Sequence, residues 1–245
     1  MPDERFIRQE MLLGSEAMDR LSRAHVTVFG IGGVGSYAAE ALTRAGVGHL
    51  TFVDSDVVSQ SNCNRQLIAL SSTIGQPKAQ VMAARARDIN PACRVTAIQA
   101  LYNAGTREEF FSRPCDLIVD CIDMVSAKLD LIQTALERSV PIISALGTGN
   151  KLDPTRFQIT DISRTTDCPL ARVIRRELRS RGILHHTVLY SPEPARTPLD
   201  LEPPPPGRRS VPGSVSWVPS VAGLMLAGWA VERLIGAPDP SPARK

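Results

Sequence analysis

The stretch Val26-Thr27-Val28-Phe29-Gly30-Ile31-Gly32-Gly33-Val34-Gly35 decides how the rest of the chain is read. An apolar run meets a glycine cluster, and an alanine-rich helical pattern follows over residues 36–45 and stops at Gly46. A second apolar run, Leu50-Thr51-Phe52-Val53, ends at Asp54. Strand, glycine turn, helix, strand and acid in that order make a nucleotide-binding βαβ unit. Gly30 permits the tight turn off the strand. Gly32, with Gly33 beside it, lets backbone approach a phosphate with no Cβ in the way, and Gly35 lets the helix pack close to the strand. The N–H groups exposed at the helix start favour an anion. Asp54 stands where a carboxylate accepts hydrogen bonds from ribose hydroxyls.

By itself this fingerprint suits NAD at least as well as ATP. The segment after Asp54 separates the two. A polar loop over residues 55–66 carries Asp56, Asn62, Arg65 and Gln66, and Gly75-Gln76-Pro77-Lys78 follows, with Lys78 just inside a new helix. Arg65 offers a planar fork of donors and Lys78 a compact point charge. Two cations and an amide after the ribose-binding acid imply more phosphate charge than NAD carries. The competing reading is a pair of solvated surface charges.

Outward from this unit, residues 26–146 alternate strand and helix patterns. Strands are expected over 26–29, 50–53, 94–100, 117–121 and 141–145, and helices over 36–45, 78–89, 106–112 and 125–138. Such alternation predicts an α/β fold: a Rossmann-like, mostly parallel sheet flanked by helices, with extra C-terminal strands and helices. Ligands of these sheets bind beyond the strand C-termini, so Asp54 and Asp123, both after strand ends, can face one crevice. A carboxylate at Asp123 suits Mg²⁺ bridging phosphates, since Mg²⁺ takes one or two carboxylates plus phosphate and water. It also suits a cap for the next helix. Lys128, further along that helix, is read as a surface residue within reach of substrate.

The motifs Asp54-Ser55-Asp56-Val57-Val58, Asn62-Cys63-Asn64-Arg65-Gln66, Gly75-Gln76-Pro77-Lys78, Asn90-Pro91, Asp120-Cys121-Ile122-Asp123 and Pro141-Ile142-Ile143-Ser144 join the glycine loop. With Arg5-Phe6-Ile7-Arg8-Gln9 before them, they resemble the adenylation domain of the ubiquitin-activating-enzyme superfamily, ThiF family included. The resemblance covers most of residues 5–162. It implies ATP and Mg²⁺ as cofactors, with Gly30, Gly32, Gly33, Gly35, Asp54, Asp56, Asn62, Arg65, Gln66, Lys78 and Asp123 at the nucleotide and Asp123 as the metal ligand. It also implies a catalytic set of Arg8, Arg65, Lys78 and Asp123. Arg8 matches the family arginine that reaches the phosphates from the other subunit, which implies a homodimer; Arg5 is the weaker match.

The chain has 245 residues, 43% of them hydrophobic, enough for one large α/β domain or a domain with an appendage. Its formal net charge of +3 is too mild to imply nucleic acid. The start shows no secretory signal pattern. Five cysteines, none in C-x-x-C spacing, argue against a disulfide framework or a cysteine zinc site and fit the cytoplasm. The apolar stretch over 215–235 is interrupted by Pro219 and Ser220 and reads as a buried helix, with no membrane span expected.

Ser15 is expected to cap a short first helix. Phe157 to Ile162 alternates as a strand. Pro169 then opens a helix with Leu170, Ile174 and Leu178 on one face and Arg172, Arg175, Arg176 and Arg179 on the others, with Arg181 just beyond. Such a helix tracks nucleic-acid phosphates or is an ordinary solvated face. Prolines over 192–213 break regular structure, giving a mobile loop or a spacer that also carries Arg208 and Arg209. The expected organisation is an adenylation domain over 1–162, an extension over 163–236 packed on it and a disordered tail over 237–245.

The second half narrows the resemblance. Asp153-Pro154-Thr155, Gln158-Ile159-Thr160-Asp161, Pro169-Leu170-Ala171 and Pro212-Gly213-Ser214-Val215-Ser216 look like the tRNA threonylcarbamoyladenosine dehydratases. That resemblance implies ATP-dependent activation of the threonylcarbamoyl carboxylate on a modified adenosine of the tRNA anticodon loop, then cyclisation with loss of water. A sulfur-relay partner is left open. Sulfur-transfer relatives place a covalent cysteine after the core; Cys168 is read as non-catalytic, because only a helix start favours its thiolate and Asp167 opposes it. The alternatives are an adenylyltransferase for a ubiquitin-like sulfur-carrier protein and a non-catalytic nucleotide or NAD module.

Overall fold

The computed structural model describes residues 3–201 and 211–236. Helices α1 (Ile7–Leu13) and α2 (Ser15–Arg23) lead into β1 (His25–Phe29), α3 (Gly35–Arg44), β2 (His49–Val53), α4 (Lys78–Ile89) and β3 (Arg94–Ile98). Then come α5 (Arg107–Phe111), β4 (Leu117–Asp120), α6 (Val125–Glu137) and β5 (Ile142–Ala145). The C-terminal part adds β6 (Gln158–Asp161), α7 (Pro169–Ser180), β7 (Thr187–Tyr190) and α8 (Trp217–Leu234). One seven-stranded sheet runs in the order β3-β2-β1-β4-β5-β7-β6. All pairings are parallel except β6 with β7. The chain leaves β1 towards β2 and later returns on its other side as β4, so the topological switch lies between β1 and β4.

Strand alternation sends Val26 and Val28 to one face, into a core shared with α2, α3, α4 and α8. Phe29 and Ile118 face the other core, filled by α5, α6 and α7. Helix α8 lies along α3, and its Gly223 meets the Val34 carbonyl so closely that an added Cβ would stand 2.3 Å from that oxygen. The apolar C-terminal stretch is thus one wall of the first core, and no helix among the described residues is long and apolar enough to cross a membrane.

Three local expectations change. Ser15 is the first residue of α2, whose N-cap is Gly14 at φ 81, and no side chain caps it. In α7 the buried positions are Ala171, Ile174 and Leu178, with Leu170 only half-buried. Strand β7 went unread: four residues before Pro192 give too short a pattern, yet β7 separates β5 from β6 and closes on β5 through Leu146 N–H to the Leu189 carbonyl. Residues 192–201 and 211–213 carry no regular structure, as the prolines require. Arg208, Arg209 and the 237–245 tail lie outside the described residues.

Buried imidazoles make the fold acid-sensitive. His186 donates to or accepts from the Ser144 hydroxyl at 2.9 Å. Burial, aided by the Lys128 charge, pushes its pKa from 6.5 down to about 3. His49, stacked on His25 at 3.6 Å, is pushed down to about 4 by burial first and then by the His25 and Arg94 charges. Below pH 6.5 the unfolded chain takes up protons that the native imidazoles refuse. Stability is therefore fully present above 6.5 and falls as pH drops towards 4. The urea midpoint is expected to follow that fall, with a shallower slope in His186→Gln; an unchanged slope would contradict this assignment.

Candidate active site

The glycine loop forms where β1 ends. Gly30 has φ +85, and a Cβ there would lie 2.7 Å from the Cys121 carbonyl oxygen; one on Gly35 would lie 1.7 Å from the Gly30 oxygen. Neither position admits a side chain. At Gly32, among the described residues, only Gln66 Nε2 comes near, at 3.8 Å, and that face is open to an incoming group. Gly33 is backed by Pro219 of α8, 3.2 Å from where a Cβ would stand, and by the Arg65 stem at 3.6 Å.

The acidic side of the loop is built on Asp54. It accepts Ile31 N–H at 2.6 Å and Asp56 N–H at 2.8 Å, which ties the end of β2 to the glycine turn. Burial raises its pKa, while the Asp56 N–H, the Lys78 charge and the Ile31 N–H pull the other way. Lys78 Nζ lies 2.8 Å from Asp56 Oδ2; the lysine side chain is 8% exposed and its partner 66%. The pair is asymmetric: a sheltered cation faces a carboxylate that water already solvates.

Arg65 is half-buried, and its Nη1 donates to the Ser61 carbonyl at 2.7 Å and to Asn64 Oδ1 at 2.9 Å. Asn64 also donates through Nδ2 to the Ser214 carbonyl at 3.0 Å. Gly213 is clasped in turn by Asn150, which donates its N–H to the Gly213 carbonyl and accepts the Gly213 N–H. The segment entering α8 therefore lies against the arginine loop. Asn62 is buried and closes a capping box with Ser59. Gln66 Oε1 is buried without a hydrogen-bond partner among the described residues, a polar atom beside Gly32 that a bound group can satisfy.

Asp123 is exposed in the loop between β4 and α6. That loop is held to β1 by Cys121 N–H donating to the Phe29 carbonyl. Among the described residues no three His, Cys, Asp or Glu side chains gather as a preformed metal cage. One exposed carboxylate on a loop after a strand end is a donor set that suits Mg²⁺ when nucleotide oxygens and water complete its shell, so the residue fits that ion. Contacts thus tie Asp54, Asp56 and Lys78 to Ile31 of the glycine loop and set Gln66 and Arg65 beside Gly32 and Gly33, with the Asp123 loop following β4. A separate cavity of about 250 Å³ between β1, β4 and α5 is lined by Phe29, Phe110, Arg113 and Arg138 and holds none of them.

Lys128 is not a surface residue. Its side chain is 1% exposed and forms a 2.6 Å ion pair with Asp120, itself fully buried. Arg8 is exposed on α1, which docks through Gln9 Nε2 to the Ala45 carbonyl and through Phe6 against Gly46. That is the far end of α3 from the glycine loop, roughly 15 Å along a ten-residue helix. Cys168 is buried as the N-cap of α7, its sulfur accepting Ala171 N–H. Sequence reading missed its neighbour Lys151, seventeen positions away in the chain. Burial lowers the Lys151 pKa, against the raising effect of Cys168 and Glu193. Lys151 donates to the Glu193 carbonyl and the Glu193 carboxylate takes Leu152 N–H, so this cluster staples residues 151–153 to the proline segment. With its thiol enclosed in that packing, Cys168→Ala is expected to keep most AMP-forming activity; a dead variant would reinstate a covalent step.

This Rossmann-type sheet, with a glycine loop at its switch point, defines a nucleotide-binding α/β protein. The ThiF family model matches residues 6–245, and the chain belongs to that family. It is 44% identical over 245 residues to the tRNA threonylcarbamoyladenosine dehydratase of Bacillus subtilis, with 94% of each chain covered. It is 30% identical to the sulfur carrier protein adenylyltransferase of Thermus thermophilus over 97% of this chain and 79% of that one. Among solved structures, E. coli tRNA N6-threonylcarbamoyladenosine dehydratase in complex with ATP superposes with a TM-score of 0.86 at 34% identity, covering 95% of this chain and 94% of that chain.

Proposed function

We propose that this chain is an ATP-dependent tRNA threonylcarbamoyladenosine dehydratase. The carboxylate of the threonylcarbamoyl group attacks the α-phosphorus of ATP, and pyrophosphate leaves. The resulting acyl-adenylate is then attacked by the carbamoyl group of the same substrate; AMP departs and the ring closes with net loss of water. A free carboxylate cannot be attacked this way because oxide is a poor leaving group, whereas AMP leaves readily. Charge gathers on phosphate oxygens during the first step, and cations already in place stabilise it without reorganisation. Lys78 and Arg65 fill that role. The glycine-loop N–H groups bind the phosphates, Asp54 the ribose, and Asp56, Asn62 and Gln66 shape the surrounding wall. Mg²⁺ held by Asp123 supplies further charge neutralisation when bound.

The observation that supports this most is the glycine loop at the end of β1, with Arg65 packed beside Gly33 and the sheltered Lys78 linked through Asp56 and Asp54 to Ile31. The 44% relative carries the dehydratase name, while the carrier-protein adenylyltransferase is more distant at 30%. Incubation with ATP, Mg²⁺ and threonylcarbamoylated tRNA, with mass analysis of the nucleoside, tests the reading. Loss of one water is expected. AMP formation only with a carrier protein ending in Gly-Gly would support the second enzyme instead.

Residues 1–162 are proposed to carry adenylation and 163–236 to receive the tRNA, in the cytoplasm where tRNA resides. Arg172, Arg176, Arg179 and Arg181 are exposed on or just after α7, whose N-terminus sits beside Gly147 at the end of β5. They track phosphates, so tRNA binding weakens steeply with salt; a flat response would remove the assignment.

Helix α1 buries none of its residues and exposes Ile7, Met11 and Leu12, a face suited to a second copy of the chain. Arg8 is too far from its own glycine loop and is assigned to the partner's site. Mixing Arg8→Ala with Lys78→Ala protein is expected to restore AMP formation that neither has alone, since one site of the mixed dimer is then whole. No recovery despite subunit exchange would show that Arg8 does not serve the partner's site.

A further inference from the structure

We propose that the buried Asp120–Lys128 pair is a positioning device for Asp123, closing the base of the loop that carries it. Asp120 ends β4, Lys128 lies one turn into α6, and residues 121–124 bridge them. The two oxygens of Asp120 have separate partners. Oδ2 takes Lys128 Nζ at 2.6 Å, and Oδ1 takes Ile122 N–H, the amide just before Asp123, at 3.0 Å. One carboxylate thus fixes the loop's entry and ties it to the helix at its exit. The loop's outer side is pinned independently: Cys121 N–H donates to Phe29, and the Cys121 carbonyl packs on Gly30. Asp123 therefore stands on a segment referenced to both the glycine loop and α6.

Packing alone does not account for this pair. Buried ion pairs are often replaceable by apolar side chains of like size with no loss of stability, because burial removes both charges from water. Here the pair sits beneath a candidate metal ligand. It also sits beside a second buried polar pair: Ser144 is the register partner of Asp120 on β5 and bonds His186. His186 is held neutral partly by the Lys128 charge, which leaves Asp120 as the partner that neutralises Lys128. Groups that orient a metal ligand typically change metal affinity about 10–100-fold when removed.

The inference rests on reading Asp123 as the Mg²⁺ ligand, and the test separates the two. The affinity of the full-length protein for α,β-methylene-ATP is measured with Mg²⁺ and with EDTA, for the parent, Asp123→Asn, Asp120→Val/Lys128→Met and Lys128→Arg. The parent is expected to bind more tightly with Mg²⁺. Asp123→Asn and the double variant are expected to lose that gain, by about tenfold or more, each judged against its own affinity in EDTA. Lys128→Arg keeps the charge but alters its reach, and is expected to lose part of the gain while folding like the parent. It decides the matter should the double variant not fold. If Asp123→Asn keeps the gain, the reading of Asp123 fails. If Asp123→Asn loses it while the double variant or Lys128→Arg keeps it in full, the positioning role is overturned.

Discussion

Lys78→Ala is expected to lower AMP formation by about 10²–10³-fold, the scale of removing one preorganised donor from a developing anion. The fold should survive the change. The lysine's ion-pair partner is Asp56, whose side chain is 66% exposed and is solvated readily when the cation goes. The deletion leaves Asp54 still bonded by the Ile31 and Asp56 N–H groups, unlike a deletion at Lys128, which strands the fully buried Asp120. Arg65→Ala is expected to behave alike, since its guanidinium donates to two local oxygens on one loop and, among the described residues, pairs with no carboxylate. Pyrophosphate release and thermal unfolding measured together check both variants. Parent-like AMP formation would remove these residues from the reaction, and loss of activity matched by loss of folded protein would assign them to stability.

Gly223→Val should produce a large structural effect at the contact between α8 and α3. A Cβ at Gly223 would stand 2.3 Å from the Val34 carbonyl oxygen and 2.9 Å from Ala38 N, atoms of a helix backbone that cannot step aside. Helix α8 must then lift from α3. Overpacking of this kind costs about 1–3 kcal/mol. Because Pro219 of the same helix backs Gly33, ATP affinity should fall along with stability. Gly228→Ala is the control: it is exposed on the same helix with nothing within 4 Å of an added Cβ, and removing a helical glycine should stabilise by up to about 1 kcal/mol. Equal thermal midpoints for the two variants would contradict the packing described.

The first half of the molecule was readable because its determinants are local. Apolar runs of strand length, helical periods and glycines at fixed offsets mark β1, α3, β2 and α4, and α4 spans the residues its pattern predicts. Asp54 and Asp123 stand out in the sequence because each lies just past the end of an apolar strand run, whereas Arg65 sits in the long loop after β2 and Lys78 opens α4. What the sequence hid depends on contacts between distant positions. The Asn64 amide meets Ser214 across 150 residues, and Pro219 and Gly223 wall the glycine loop from the last helix. Lys128 reads as a surface lysine until Asp120, eight positions earlier, is seen sharing its burial. Lys151 beside Cys168 is hidden likewise. The short β7 has no alternation to announce it, and only its place between β5 and β6 gives it meaning.

The most direct measurement is the fate of carboxylate oxygen. With threonylcarbamoylated tRNA carrying ¹⁸O in both carboxylate positions, attack on the α-phosphorus and later departure of AMP carry one labelled oxygen into AMP at each turnover. Mass analysis is predicted to find AMP with a single ¹⁸O and pyrophosphate with none. Label in inorganic phosphate, or cyclised product formed alongside unlabelled AMP, would contradict the claim that this crevice makes an AMP ester of a carboxylic acid.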